Sequence, residues 1–159
     1  MGSSGAVRGD RSMAILSGFH RWVIRASRGR LGWRLARMAT VELHTVGRRS
    51  GQHRTTILSA PIVEPDRIVL VASKGGSDRH PDWYLNLVAH PDVVLDLHDR
   101  RRALRARTAT ADEKAQLWPR ITAAYPGYAR YQERTRRDIP VVVCEPRASE
   151  EPREPDAVG

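Results

Sequence analysis

Apolar and polar residues alternate in short runs through the middle of the chain, and this pattern predicts a domain built mainly from β-strands. The run 68–72 is nearly continuous in apolar residues, which indicates a central strand buried on both faces. The other strands that the pattern predicts are 40–46, 53–63, 93–98, 101–107 and 139–144.

Helical spacing of apolar residues appears in three further stretches. In the stretch that begins at Thr110, the Thr110 hydroxyl and the Glu113 carboxylate form a capping box that starts the helix. Pro119 lies inside this helix and is expected to kink or restart it. The sequence therefore predicts an α+β domain, with helices over 13–39, over 82–89 and from 110 to the break at 126–127.

The two ends of the chain have the composition of disordered segments. Residues 1–12 are mostly Gly, Ser and charged residues, and residues 147–159 are rich in Pro, Glu and Arg. We therefore expect one folded domain over 13–146 with a disordered tail at each end.

The chain of 159 residues carries a formal net charge of +9, which favours an anionic partner: a polyanionic cofactor, nucleic acid or a membrane surface. Arg101, Arg105 and Arg107 share one face of a predicted strand. No aromatic residues interleave with them, so a solvated outer face is the better interpretation than a nucleic-acid stripe. We therefore expect no nucleic-acid partner.

The stretch 13–39 is basic and amphipathic, so its apolar face either packs on the domain core or rests on lipid headgroups. No apolar run is long enough to span a bilayer, and no signal-peptide pattern is visible at the start. The expected location is the cytoplasm, with peripheral contact at the inner face of the cell membrane as an option.

Two Gly-rich loops carry the candidate binding chemistry. The first, 47–51, lies between two predicted strands and contains two arginines and a serine. Arginine forks match phosphate or carboxylate oxygens, and backbone N–H groups in a turn can line an anion site. A basic hairpin tip that faces water is the alternative. The second loop, 73–81, is polar and directly follows a buried strand, a place where binding residues often lie.

Standard catalytic groupings are scarce in this sequence. No serine lies in a nucleophile elbow, and the six histidines show no metal-ligand spacing. The single cysteine, Cys144, excludes an internal disulfide. Tyr125, Tyr128 and Tyr131 recur every third residue and are expected to share one helical face, either as core residues or as a slot lined with hydroxyls. A bound cofactor would then carry the chemistry.

The chain carries five motifs in this order: 47–51 (GRRSG), 72–76 (ASKGG), 80–87 (HPDWYLNL), the aromatic stretch 118–131 and 139–146 (IPVVVCEP). In order and spacing these motifs resemble the deazaflavin-dependent nitroreductases. The resemblance covers residues 40–146 and implies a mostly antiparallel split β-barrel with an N-terminal helix and helices packed around the barrel. It also implies coenzyme F420, a deazaflavin with a phosphodiester and an oligoglutamate tail, and hydride transfer from reduced F420 to a quinone, nitroaromatic or enone acceptor.

The same resemblance assigns roles to individual residues. The hairpin tip meets the cofactor phosphate, Trp83 lies against the ring system, and Tyr125 and Tyr131 border the acceptor pocket. Ser50 stands where the family often has lysine, which removes one charge. The implied cofactor-binding residues are Arg49, Ser50, Gly51, Thr55, Thr56, Ile57, Leu58, Ser59, Ala60, Pro61, Val71, Ala72, Ser73, Lys74, Asp82, Trp83, Tyr84, Leu85, Asn86 and Tyr128. The implied catalytic residues are Ser73, Tyr125, Tyr128 and Tyr131.

The charge of the chain agrees with such a cofactor, because Arg48, Arg49, Arg54 and Lys74 can supply a basic cradle for a polyanion. Two related activities stay open at this point. An FMN-dependent split-barrel oxidoreductase would also need a phosphate loop, and a non-catalytic F420 carrier would bind the same cofactor and reduce nothing. For Trp83, packing in the core is the alternative to contact with the cofactor.

Overall fold

The computed structural model describes residues 38–98 and 100–147, so the helix predicted over 13–39 and both predicted tails lie almost wholly outside the described residues. The strands are β1 Ala39–Val46, β2 His53–Ala60, β3 Ile62–Val63, β4 Ile68–Val71, β5 Asp92–Leu97, β6 Arg100–Thr108 and β7 Val141–Pro146. The helices are α1 Asp82–Ala89, α2 Ala111–Ala124 and α3 Gly127–Glu133, with a 3-10 turn at Lys74–Gly76.

The strands of the described part form one antiparallel sheet in the order β2-β1-β5-β6-β7-β4-β3. The β1–β2 hairpin pairs along its whole length, from Ala39 opposite Ala60 to Val46 opposite His53. At the far side of the sheet, β4 comes back into contact with β2. The sheet is therefore a curled half-barrel, which confirms the mostly antiparallel α+β prediction.

The main hydrophobic core lies between the curled sheet and α1. Trp83 and Leu87 of α1 pack into one cluster with strand residues such as Leu43 and Leu95, all 8% exposed or less. Each such side chain contributes about 1.5–3 kcal/mol on burial. β4 is buried on both faces, as predicted, and so is most of β7. This core gives the loops at the ends of β1 and β4 a rigid base.

The prediction of one continuous strand over 53–63 is wrong, because the strand is interrupted at Pro61. β2 ends at Ala60 and pairs with β1, whereas β3 pairs with β4 at the opposite edge of the sheet. Proline has no N–H to donate to a strand neighbour, so it suits a position where pairing changes. The chain thus passes from one edge of the sheet to the other at this residue.

Of the two effects expected at Pro119, a kink or a restart, the restart does not occur, because α2 continues through Pro119 as a single helix. Leu117 and Ile121 are buried on either side of the proline, and their packing outweighs the lost backbone hydrogen bond. The capping box is confirmed. The Glu113 N–H donates to Thr110 Oγ1 (3.2 Å), and the Thr110 N–H donates to Glu113 Oε2 (2.8 Å).

The Glu113 carboxylate also accepts hydrogen bonds from Arg107 of β6, which lower the pKa of Glu113 from 4.5 to about 2. We expect Glu113→Gln to reduce the free energy of unfolding by up to about 1 kcal/mol at neutral pH, since solvent screens this half-exposed pair. Folding lowers this pKa, so the contribution is complete above 4.5 and disappears as pH falls toward 2. Urea unfolding of both proteins at neutral pH and at about pH 2.5 measures this loss, and a pH-independent difference would contradict it.

Candidate functional site

The loop between β1 and β2 forms the tight turn that the sequence predicts. The Gly47 N–H donates to the Gln52 carbonyl (2.8 Å), and the Gly51 N–H donates to the Gly47 carbonyl (2.8 Å). Gly51 has a φ of +67°, in the left-handed region that favours glycine. Ser50 Oγ accepts from the Gln52 N–H (3.3 Å), while the neighbouring Arg49 is exposed. The tip is therefore ordered by its own hydrogen bonds.

Arg48 ties this hairpin to α1. Its backbone N–H and its Nη1 both donate to Asn86 Oδ1 at 3.1 Å, and its Nη2 donates to Asp82 Oδ1 at 3.1 Å. Asn86 is 6% exposed, so its amide oxygen is satisfied by these contacts rather than by solvent. Arg48 is thus part of the scaffold, in contrast to its expected place among the cations of the cradle.

The other three cations of the predicted cradle are differently placed. Arg49, Arg54 and Lys74 are exposed, and none has a carboxylate partner within the described ranges 38–98 and 100–147. Cations in this state keep their full charge for a ligand, because no internal pair neutralises them. These side chains can therefore hold an anion with several charges.

The arginine row of β6 is in the opposite state, because its members are paired with carboxylates. This pairing reduces the positive charge that the row offers to a nucleic acid and supports the solvated-face interpretation. The pairs are Arg101–Asp96 (3.2 Å), Arg105–Asp92 (3.4 Å) and Arg107–Glu113 (2.7 Å).

The second Gly-rich loop turns through three successive left-handed residues. Lys74, Gly75 and Gly76 have φ values of +46°, +64° and +83°. For lysine this conformation is unfavourable, so the surrounding contacts must hold it. Gly76 lies close against α3, since a Cβ at this position would be 2.7 Å from the Tyr131 carbonyl oxygen. Ser73 is buried, whereas Lys74 is exposed.

The three tyrosines form a cluster, although they do not all lie on one helix as expected. Tyr125 follows α2 on extended backbone, so the prediction that all three share one helical face is wrong. The break at 126–127 instead folds α3 back, and the ring centroids lie 5.3–6.2 Å apart. The Tyr125 and Tyr131 hydroxyls are 3.3 Å apart. Burial raises the pKa of Tyr125 and Tyr128, so both hydroxyls stay protonated and can donate hydrogen bonds.

The remaining residues of the predicted site lie along β2 and α1. β2 is an edge strand, exposed at Thr55 and increasingly buried toward Ala60. Trp83 is 8% exposed and packs in the core, which agrees with core packing as the alternative to cofactor contact. The Tyr84 hydroxyl lies 2.9 Å from Thr108 Oγ1, and Leu85 is half-buried.

Contacts between neighbouring segments link the hairpin tip, α1, the second loop and α3 in one series, which we call the wall. The hairpin tip is bonded to α1, α1 meets the second loop where the rings of Tyr84 and His80 lie 5.0 Å apart, and that loop packs on α3 at Gly76. The wall has a cationic end at the hairpin and a hydroxyl-rich end at the tyrosines. Such an arrangement can hold a charged cofactor at one end and a small acceptor at the other.

Sequence reasoning missed two polar residues at this wall. His44 lies between Thr55 Oγ1 (3.2 Å from Nδ1) and Asp96 Oδ2 (2.9 Å from Nε2), beside the strand predicted to line the cofactor. Arg137 donates to carbonyls of the second loop from the segment before β7. Its sequence signal is weak, because it lies in an arginine-rich stretch without periodicity.

Comparison with known proteins identifies the class. The family described as F420H(2)-dependent quinone reductase matches residues 17–146, well over half of the chain. An F420H(2)-dependent quinone reductase of Mycobacterium tuberculosis is 38% identical over 128 residues, which cover 78% of this chain and 85% of the relative. A second, putative one from the same species is 37% identical and covers 68% of this chain and 90% of the relative. The chain belongs to the F420H(2)-dependent quinone reductase family.

Solved structures agree with this assignment. An F420-H2 dependent reductase (FDR-A) has a TM-score of 0.62 and 37% identity, over 67% of this chain and 94% of that one. A domain-swapped dimer has a TM-score of 0.61 and 30% identity, over 84% of this chain and 98% of the other. The family is one of oxidoreductases that use coenzyme F420, which confirms the resemblance noted in the sequence and gives no support to FMN.

Proposed function

We propose that this chain oxidises reduced coenzyme F420 and passes its hydride to a quinone, with nitroaromatic and enone compounds as further acceptors. The observation that carries the proposal is the contrast in charge pairing. The exposed cations beside the hairpin and the second loop lack carboxylate partners in the described part of the chain, whereas the β6 row is paired. A phosphodiester with an oligoglutamate tail is a ligand that such a cradle fits.

In this proposal the hairpin binds the charged part of the cofactor. Arg49 and the amides of Ser50 and Gly51 hold the phosphate, and Arg54 and Lys74 are exposed cations for further anionic groups. The segment from Thr55 to Pro61, which includes most of β2, lines the cofactor, and the residues Asp82–Asn86 close the site. Bound F420 supplies the hydride, so the chain itself needs no nucleophile. This requirement agrees with the scarcity of standard catalytic groupings in the sequence.

The tyrosine cluster and the second loop form the acceptor side. Tyr131 is half-buried and is the most exposed of the three tyrosines; its hydroxyl lies 3.3 Å from that of Tyr125, and Tyr128 is buried. A protonated phenol can donate a hydrogen bond to a quinone oxygen as that oxygen gains negative charge. Ser73 lies next to Lys74 and contributes a second hydroxyl. A hydroxyl-lined slot favours an acceptor with paired oxygens.

We also propose that the curled sheet is the split β-barrel of this family, with an N-terminal helix over 13–39 as the sequence predicts. None of the helices over 38–98 and 100–147 is long and apolar enough to cross a bilayer. The basic amphipathic pattern over 13–39 supports peripheral contact with anionic lipid, where a lipid-soluble quinone would be found.

We expect the full chain to float with phosphatidylglycerol vesicles and to stay behind with phosphatidylcholine vesicles. Arg21 and Arg25 belong to the basic stretch 13–39. An Arg21→Glu, Arg25→Glu variant should bind the anionic vesicles at least about tenfold more weakly, since each cation near the membrane surface contributes about 1 kcal/mol. Arg101→Glu, Arg105→Glu is the matched control, because it makes the same change of charge on the β6 row. Equal loss in both variants, or no flotation at all, would contradict the membrane proposal.

A titration with oxidised F420 and with FMN tests the cofactor assignment directly. The proposal predicts saturable F420 binding that weakens as salt is raised, because a polyanion is held by exposed cations. FMN, which has a single phosphate and no oligoglutamate tail, should bind more weakly. A carrier would give the same binding curve, so turnover is needed to separate it from an enzyme. Preferential binding of FMN would contradict the proposal.

A further inference from the structure

One guanidinium, that of Arg137, is bonded to several points of the second loop. Its Nη2 donates to the carbonyl oxygens of Ala72 (3.1 Å) and Ser73 (2.9 Å), and its Nε donates to that of Ser77 (2.7 Å). Its Nη1 lies 3.2 Å from His80 Nδ1. Arg137 is half-buried and has no carboxylate within ion-pair distance in the described residues, so these loop groups are its main partners.

The position of Arg137 is itself fixed by its neighbours. Its N–H donates to Thr135 Oγ1 (3.3 Å), and its carbonyl accepts from Gln132 Nε2 (2.8 Å). Gln132 Oε1 in turn accepts from the Ile139 N–H (2.9 Å) and from Lys114 Nζ (3.4 Å) of α2. Contacts with α2 and α3 therefore fix the backbone segment from which the Arg137 guanidinium reaches the loop.

These bonds determine which way the loop peptides face. The peptide bonds of the described chain are trans, and in a trans peptide the C=O and the N–H point in opposite directions. Because Arg137 attracts the oxygens of Ala72 and Ser73, the N–H groups of Ser73 and Lys74 turn to the other side of the loop. The left-handed φ of Lys74 directly after this point is consistent with a backbone held by outside contacts.

We propose that Arg137 is a positioning residue that turns the N–H groups of Ser73 and Lys74 outward as a donor pair for the ring oxygens of the deazaflavin. This inference rests on the proposed function, in which the loop after β4 receives the cofactor. The loop thus supplies two backbone donors, fixed in advance, that recognise the uncharged ring while the hairpin holds the phosphate.

His80 makes this arrangement sensitive to pH. Its Nδ1 can accept from Arg137 only while the ring is neutral, and burial together with the nearby guanidinium lowers the pKa of His80. The groups that face the ring are Arg137 and Tyr84 of α1 (5.0 Å between centroids), and the nearest charged residues of its own loop in sequence are Asp78 and Arg79. Protonation removes the acceptor and places two cations 3.2 Å apart. The loop should therefore lose this contact in acid.

The test compares F420 binding to the wild type, Arg137→Lys and His80→Gln between about pH 8 and about pH 5. Lysine cannot bond all these acceptors at once, so we expect Arg137→Lys to raise the Kd about tenfold at the upper pH, as the loss of one well-placed hydrogen bond would. Glutamine keeps an acceptor oxygen and does not titrate. The wild-type Kd should therefore rise relative to that of His80→Gln as pH falls, and the ligand's own titration cancels in this ratio.

Arg102→Lys is the matched control, because Arg102 is also half-buried and donates to two backbone carbonyls, those of Glu64 (3.3 Å) and Pro65 (2.7 Å). It should lower stability without changing the Kd. A Kd unchanged in Arg137→Lys, or a Kd ratio independent of pH, would overturn the proposal.

Hydrogen exchange of the Gly76 and Ser77 amides distinguishes a failure of this inference from a failure of the proposed function. Both amides donate to loop carbonyls, those of Ser73 (2.9 Å) and Lys74 (3.2 Å). They should exchange faster in Arg137→Lys than in Arg102→Lys. If the wild type bound no F420, the proposed function would fail, and exchange would still show whether Arg137 holds the loop. Equal exchange in the two variants would exclude that role.

Discussion

Arg49→Ala is expected to weaken F420 binding by about 10- to 100-fold, the largest effect of any single charge in the site. Arg49 lies at the exposed tip of the β1–β2 hairpin, whose backbone is fixed by the Gly47 and Gly51 hydrogen bonds. A hydrogen bond from a guanidinium to a phosphate is charge-assisted, and a bidentate pair adds geometric specificity. Equilibrium titration of oxidised F420 measures the change in Kd.

Arg105→Ala is the control for this experiment. Like Arg49→Ala, it removes one exposed positive charge. Arg105, however, belongs to the β6 row and is paired with Asp92. Its Kd should stay within about twofold of the wild type, because only the general field of the protein changes. At saturating F420, Arg49→Ala should recover most of the wild-type turnover, since in the proposed function Arg49 holds only the charged end of the cofactor. Equal losses in both variants would mean that net charge, rather than the hairpin, binds F420.

Gly76→Ala is expected to lower the free energy of unfolding by about 2–5 kcal/mol and to abolish most of the activity. Two costs combine at this position. The φ of +83° disfavours any residue with a Cβ, and that Cβ would lie 2.7 Å from the Tyr131 carbonyl oxygen. The collision is with backbone, so either the loop or α3 must move. Either shift separates the second Gly-rich loop, where the proposed function places the cofactor, from the tyrosines.

Gly51→Ala separates these two costs. Gly51 also has a left-handed φ, of +67°, but nothing lies within 4 Å of the Cβ that would be added. It should lose only the conformational part, about 1 kcal/mol. Urea unfolding of both variants gives the difference that belongs to packing of the loop on α3. Equal destabilisation would show that this close approach has no energetic consequence.

Local patterns were sufficient to predict the parts of the fold that depend on neighbouring residues. The β1–β2 hairpin follows from alternation and two glycines, and the start of α2 follows from the Thr110–Glu113 capping box. The break at Pro61 could not be predicted in the same way, because the residues on its two sides pair with opposite edges of the sheet. That choice depends on how the sheet curls.

The candidate site shows the same limit. The sequence indicated two adjacent arginines at the hairpin tip but could not show that Arg48 bonds to Asn86 while Arg49 stays exposed. Arg137 reaches Ala72 across 65 positions of sequence, and no periodic pattern reports such a contact. The sequence predicted correctly that the three tyrosines lie together, but the predicted reason was wrong. The turn at 126–127 brings them together, rather than one helical face.

Oxidation of reduced F420 by the wild-type chain, followed by absorbance without oxygen and with menadione as acceptor, tests whether this chain transfers hydride from F420H2 to a quinone. We expect turnover that saturates in both F420H2 and menadione and that falls in Arg49→Ala through a raised KM for F420H2. Binding of F420 without turnover on any quinone would indicate a carrier. Oxidation of reduced FMN in preference to F420H2, or no reaction and no binding of F420, would contradict the proposed function.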